Sequence, residues 1–135
     1  MPVTPFCKAS LTYRRLWLAI GISLVFLLVY GSLVPATALP PIGGSDKFWH
    51  AGTYFVVTVY FSQIYAPLRA RLLIAAALIA LGVTIEFIQP YVNRQFDWFD
   101  ALANSVGVAA GFLMSLSPLR SMLSYVDGRL THILR

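Results

Sequence analysis

The sequence predicts an all-α integral membrane protein, a four-helix bundle with both termini in the cytoplasm. Composition is the first reason, since 59% of the 135 residues are apolar and 11% are charged, against roughly 45–50% and 25% in soluble domains. The second reason is that the apolar residues form four stretches, each close to the roughly 20 residues that cross a bilayer. The third reason is that the cations alternate between the connecting segments.

Each predicted span ends just before a proline, which has no backbone N–H and disfavours the α conformation in the residue before it. The spans are Leu16–Val34, Phe48–Ala66, Leu72–Gln89 and Phe99–Ser115, and the prolines are Pro35, Pro67, Pro90 and Pro118. The second span is the least apolar of the set. Residues 1–135 are expected to form one domain.

The formal net charge of +5 would suit a nucleic acid or an anionic lipid as partner, but the positions of the cations have a simpler explanation. Eight of them fall on the N-terminal segment, the connection between the second and third spans, and the tail: Lys8, Arg14, Arg15, Arg69, Arg71, Arg120, Arg129 and Arg135. Lys47 and Arg94 fall on the other two connections. The positive-inside rule then places the termini and the central connection in the cytoplasm, and no nucleic-acid partner is expected.

Three segments that flank the spans need separate interpretation. Ala36-Thr37-Ala38 has the small-x-small form of a signal-peptide cleavage site, but the apolar run before it exceeds the usual 7–15 residues, which favours an uncleaved anchor. Pro40-Pro41 and Gly43-Gly44 predict turns before the second span, and Ser45 offers an N-cap. The tail, residues 119–135, has apolar residues at helical spacing between arginines. It predicts a short amphipathic helix on the cytoplasmic leaflet.

Polar side chains gather at the predicted extracytoplasmic ends of three spans. Residues three, four or seven positions apart share one face of a helix. Three such faces are Lys47, His50, Tyr54 and Thr58 on the second helix, Gly82, Glu86 and Gln89 on the third, and Asp97, Asp100, Asn104, Gly107 and Gly111 on the fourth. The small residues Gly107 and Gly111 let a neighbouring helix come close. We therefore expect these faces to point into the bundle.

The charges of this cluster leave two interpretations open. An ionised group facing lipid costs on the order of 2.5–3.5 kcal/mol at mid-helix, so Glu86 needs a partner, with Arg94, His50 or Lys47 as candidates. The cluster is then either a network that only locks three helices together, or a functional site. Its carboxylates outnumber its cations, so it could share protons or bind Mg²⁺ or Ca²⁺. No spacing is a metal-ligand signature, and cofactors stay unknown.

The order of these residues resembles a known family. Asp46-Lys47-x-x-His50-x-x-x-Tyr54, then Glu86-x-x-Gln89, then Arg94-x-x-Asp97-x-x-Asp100-x-x-x-Asn104-x-x-Gly107-x-x-x-Gly111 is similar to the VanZ-like membrane proteins. The resemblance covers roughly residues 46–113, about half of the chain, without a departure at the charged positions. It implies a small inner-membrane protein of four helices, sometimes linked to low-level teicoplanin resistance. It implies no settled molecular activity.

Two functions fit these residues. One is a binder of a lipid headgroup, a lipid-linked envelope precursor or a lipophilic glycopeptide. Its ligand-binding residues would be Lys47, Tyr54, Gln89, Arg94 and Asn104. The other is a membrane enzyme acting on a lipid-linked phosphate.

In the enzyme, Arg94 and Lys47 would hold the phosphate, because the planar guanidinium bonds phosphate oxygens in pairs. Its catalytic residues would be His50 or Glu86 as general base, with Asp97 or Asp100 orienting it. Transport is less favoured, because the sequence shows no broken helices or paired repeats. We favour the binder. The oligomeric state is not predicted.

Overall fold

The described part of the chain, residues 11–35 and 45–134 apart from the side chain of Arg120, is all-helical in the computed structural model. The predicted all-α class is confirmed. The α-helices are α1 (Arg14–Leu33), α2 (Asp46–Ile64), α3 (Leu68–Ile88), α4 (Trp98–Met114) and α5 (Met122–Ile133), and 3₁₀ helices at Gln89–Val92 and Pro118–Ser121 follow α3 and α4. Outside the described residues lie Lys8, Arg135, Ala36-Thr37-Ala38 and the predicted turn pairs Pro40-Pro41 and Gly43-Gly44.

The helices α1 to α4 occupy the four apolar stretches, with small differences at their ends. Ser45 does occupy the N-cap position of α2, but its side chain makes no capping hydrogen bond. The helix α3 begins at Leu68, directly after Pro67 and four residues before the predicted span. The reason is Arg71, which is 5% exposed and donates from Nη1 to the carbonyl oxygen of Ser115 at 2.6 Å.

Two helical segments are long and apolar enough, by length and composition, to cross a membrane: Arg14–Leu33 and Leu68–Val92. Among the described residues α2 does not meet this criterion, because polar residues occupy both of its ends, and α4 is apolar but has only 17 residues. Core helices of soluble proteins and signal sequences can also meet it. The fold therefore contains two candidate spans where the sequence predicted four.

The centre of the fold is the packing of α2 against α4, which is the most extensive helix–helix contact. Glycines on α4 allow it. A Cβ atom at Gly107 would collide with the backbone carbonyl of Ala51, and one at Gly111 would lie 2.8 Å from the carbonyl oxygen of Phe55. The predicted small-residue face is thus the face that contacts α2. Leu28, Tyr54, Val57, Leu78, Ile85 and Val108 form the apolar core beside it.

The tail helix α5 continues through Gly128 and docks on the start of α1. Asp127, 2% exposed, accepts hydrogen bonds from Trp17 Nε1 at 2.8 Å and from the backbone N–H groups of Thr12 at 2.6 Å and Tyr13 at 3.0 Å. Burial would raise the pKa of Asp127, but these donors outweigh it and lower the pKa below its usual range. The predicted amphipathic helix exists, and its buried face carries a carboxylate that anchors it to α1.

We expect Gly107→Ala to lower the free energy of unfolding by about 1–3 kcal/mol, the usual cost of overpacking, because the new Cβ meets the backbone of α2. The matched control is Gly52→Ala on α2, where a Cβ would have nothing within 4 Å. There the change removes a helix-interior glycine and should be neutral or stabilising by up to about 1 kcal/mol. Denaturant unfolding of both variants measures the difference. Equal effects would show that α2 and α4 do not pack this closely.

Candidate functional site

The polar residues predicted from the sequence come together at one end of the bundle, which we call the polar end: the end where α2 and α4 begin and α3 finishes. Six of them are at most 9% exposed: His50, Tyr54, Glu86, Gln89, Asp100 and Asn104. The side chains of Lys47 and Asp97 are 45% and 39% exposed. The buried residues come from three helices and from the 3₁₀ turn that begins at Gln89.

Lys47 ties the starts of α2 and α4 together. Its Nζ donates to Asp97 Oδ2 at 2.7 Å and to Asp100 Oδ1 at 2.8 Å. Asp97 is also the N-cap of α4, because its Oδ1 accepts from the backbone N–H of Phe99 at 2.8 Å. The Lys47 ammonium, and after it this backbone N–H, lower the pKa of Asp97 below its usual range. Lys47 is therefore already paired with two carboxylates.

His50 lies between an amide and two carboxylates. Its Nδ1 is 3.1 Å from Asn104 Oδ1, and since an amide oxygen can only accept, Nδ1 carries the proton in the neutral ring. Its Nε2 then presents a lone pair, 3.7 Å from Asp100 Oδ2 and 3.8 Å from Asp46 Oδ2. These distances exceed those of hydrogen bonds. Asp46, His50 and Asp100 each offer one ligand atom, and the three atoms lie within 4.8 Å of one another.

Glu86 is fully buried and only partly satisfied. Its Oε2 accepts from the backbone N–H of Asp97 at a long 3.5 Å, and its Oε1 has no hydrogen-bond partner among the described residues. The expected ion pair with Arg94, His50 or Lys47 does not form there, because Arg94 and Lys47 bond other groups.

The hydroxyl of Tyr54 is likewise buried without a partner in the described part of the chain, and it interacts electrostatically with Glu86. Buried polar groups are nearly always hydrogen-bonded. Tyr54 and Glu86 are two such exceptions that influence each other electrostatically.

Gln89 and Arg94 are both predicted to bind ligand. In the structure their side chains hold the end of α1. Gln89 Nε2 donates to the carbonyl oxygen of Ser32 at 3.2 Å, and Arg94 Nη1 donates to those of Gly31 and Val34, each at 3.2 Å. The last carbonyls of a helix have no partner within the helix, so these bonds cap α1. A ligand-binding role for these two residues stays a prediction, and their described contacts are structural.

The turn after α3 is what directs Arg94 toward α1. Asn93 adopts φ 59 and ψ 35, the left-handed region, which asparagine tolerates better than most residues. The next backbone N–H, that of Arg94, then bonds back to the carbonyl oxygen of Gln89 at 3.1 Å. The chain reverses here and enters α4 through Asp97.

The sequence predicts no catalytic or ligand-binding role for Asp46, and it does not predict the partners of Arg71 and Asp127. The i, i+4 spacing of Asp46 from His50 nevertheless indicates the proximity that the structure shows. Arg71 and Asp127 had no such signal, because their partners lie 44 and at least 110 residues away along the chain.

The chain is similar to an uncharacterized protein of Schizosaccharomyces pombe. The two are 31% identical over 107 residues, which cover 76% of this chain and 64% of the yeast protein. Its name assigns it no function. No protein-family model and no solved structure matches the chain. The VanZ-like resemblance therefore stays a prediction, and the function has to be argued from the site.

We expect Glu86→Gln to leave the melting temperature unchanged or to raise it, because no ion pair is lost and a buried acid is replaced by a neutral amide of similar size. Arg94→Met should instead destabilise the protein by about 1–3 kcal/mol, since two carbonyls of α1 lose a charged donor. Thermal unfolding of the purified variants measures both. If Glu86→Gln destabilises as much as Arg94→Met, Glu86 belongs to a structural ion-pair network and not to a binding site.

Proposed function

We propose that this chain is a multi-pass protein of the cytoplasmic membrane, with α1 to α4 as its four spans, that binds the headgroup of a lipid or of a lipid-linked envelope precursor at its polar end. The observation that carries this proposal is the buried, incompletely hydrogen-bonded cluster of Tyr54, Glu86 and His50 at one end of an apolar bundle. Such clusters mark functional sites in membrane proteins more often than elsewhere, because a polar group in lipid is costly.

The exterior of the bundle supports the membrane assignment. Only 11% of the apolar window of α1 is buried, much less than is expected of a core helix in a soluble protein. Large apolar side chains at least 49% exposed occur along three helices: Ile22, Phe26, Leu27, Leu72, Leu73, Val106 and Leu113. Soluble monomers rarely expose apolar patches of more than a few hundred Å². A bilayer would cover this surface.

Aromatic side chains surround the polar end, as expected at a membrane–water interface. Phe48, Trp49, Tyr91, Trp98 and Phe99 are all at least 44% exposed. Phe87, Phe96 and Trp98 pack against one another at ring-centroid distances of 4.6–6.2 Å. The polar end would therefore lie level with lipid headgroups. That depth favours a headgroup as the ligand.

Binding is favoured over turnover because the side chains needed for phosphate chemistry have other partners. Lys47 bonds two carboxylates and Arg94 bonds α1, so neither is arranged to hold a phosphate. The link to teicoplanin or other lipophilic glycopeptides comes only from the VanZ-like resemblance. It predicts a change in drug susceptibility through occupancy of this site.

The four-span topology predicts opposite sides for the two short connections. In a Cys7→Ser background, we expect Gln95→Cys to react with a membrane-impermeant maleimide in intact cells. Arg69→Cys should react only after the membrane is opened, because it lies in the first turn of α3, at the end predicted to be cytoplasmic. Both side chains are exposed, so access alone does not decide the result. Equal labelling of the two in intact cells would exclude this topology.

A binder of a lipid headgroup predicts a particular result in cells that lack this protein. We expect deletion to change drug susceptibility and the wild-type protein to restore it. Glu86→Gln at matched membrane levels should not restore it, and the lipid profiles of all strains should agree. Ser23→Ala, on exposed α1, is the matched control because its hydroxyl bonds only Ala19 of its own helix. Accumulation of one lipid that only wild type clears would contradict binding without turnover.

A further inference from the structure

We propose that Asp46, His50 and Asp100 bind a divalent first-row metal ion at the polar end, and that this ion holds the phosphate of the headgroup. The metal site requires only the described contact between α2 and α4. The phosphate assignment rests on the proposed function.

The three residues offer ligand atoms that lie close together. His50 Nε2 is 3.8 Å from Asp46 Oδ2 and 3.7 Å from Asp100 Oδ2, and one ligand atom from each residue lies within 4.8 Å of the other two. Ligand atoms bonded at about 2.0–2.2 Å to the same ion lie roughly 3–4 Å apart. Asp100 can serve both neighbours, because Oδ1 accepts from Lys47 while Oδ2 faces His50.

The second ring nitrogen of His50 is held as it is in metal sites. A ligating histidine usually donates its other N–H to an oxygen acceptor that fixes the ring and its tautomer. Asn104 Oδ1 is that acceptor, 3.1 Å from Nδ1. It directs the Nε2 lone pair at two carboxylates, and a metal ion between them would remove the repulsion of this arrangement.

Glu86 gives an independent indication of a ligand. It is 0% exposed, its Oε1 has no hydrogen-bond partner among the described residues, and it interacts electrostatically with both His50 and Asp100. An oxygen in this position can accept from a water or hydroxyl bound to the metal ion, which is the usual outer-sphere role of a carboxylate.

Charge and access agree with this assignment. The carboxylates of Asp46, Glu86, Asp97 and Asp100 outnumber the cations Lys47 and Arg94 by two, so a divalent ion would balance the site. It would also supply the positive charge for a phosphate that Lys47 and Arg94 do not offer. The side chain of Asp46 is 65% exposed, which leaves an entry path. One imidazole with two carboxylates suits Zn²⁺ or Mn²⁺.

The test uses the full chain, purified without a histidine tag and stripped with chelator, and titrated with Mn²⁺ under electron paramagnetic resonance. We expect one saturable equivalent with a nitrogen coupling from imidazole. His50→Gln should abolish the coupling and weaken binding about tenfold or more, and Asn104→Leu should weaken it about 10–100-fold. The control is His132→Gln, because His132 is an exposed residue of α5. It should change neither the nitrogen coupling nor the affinity. Thermal unfolding confirms that each variant is folded.

The outcomes separate the metal site from the proposed function. Folded wild type that binds no Mn²⁺, or that binds it equally in His50→Gln, overturns the metal site and leaves headgroup binding to the complementation experiment. The phosphate assignment has a separate test, in which the Mn²⁺-loaded protein is mixed with vesicles containing phosphatidic acid or with inorganic phosphate. If neither changes the Mn²⁺ resonance, the phosphate assignment is overturned. A response to inorganic phosphate alone would show that the bound ion takes free phosphate and not the phosphate of a lipid headgroup.

Discussion

The close approach of α2 and α4 is the constraint on which the rest of this structure depends. Gly107 and Gly111 leave no room for a side chain between α4 and the backbone carbonyls of Ala51 and Phe55. Because the helices meet there, His50, which directly precedes Ala51, reaches Asn104, which lies about one turn before Gly107, across the interface. Any larger residue at 107 would move the two halves of the site apart. The chemistry of the polar end is therefore set by two glycines that take no part in it.

The polar side chains near this interface divide into two groups with different physical roles. Gln89, Arg94 and Lys47 have direct partners that hold α1 to α3 and α2 to α4. Glu86 and Tyr54 are almost completely buried but keep a polar atom without a partner among the described residues. A cluster that served only to lock helices would be expected to satisfy every member, because each unsatisfied buried group costs about 1–3 kcal/mol. The incomplete group is the part of the site that can bind something else.

Much of this arrangement could be predicted from the sequence, and the reasons for the exceptions are physical. The helical period placed His50, Glu86 and Asn104 on inward faces, and the glycine spacing predicted the contacting face of α4. Pairing between side chains could not be predicted, because it depends on where a turn such as the one at Asn93 directs a long side chain. The bonds from Arg94 to the end of α1 could for that reason not be predicted. The anchoring of α5 through Asp127 was missed because its partners lie at the other end of the chain.

The central claim is that close packing of α2 on α4 orients the His50 imidazole toward Asp46 and Asp100. The tautomer of the neutral His50 ring tests this claim most directly. The measurement is ¹⁵N nuclear magnetic resonance of the ring in a His132→Gln background, which leaves His50 as the only histidine. In the metal-free protein, we expect the neutral ring to carry its proton on Nδ1. In Asn104→Leu, which removes the acceptor, we expect Nδ1 to lose this preference for the proton. A proton on Nε2, unaffected by the change at Asn104, would contradict the packing and the site built on it.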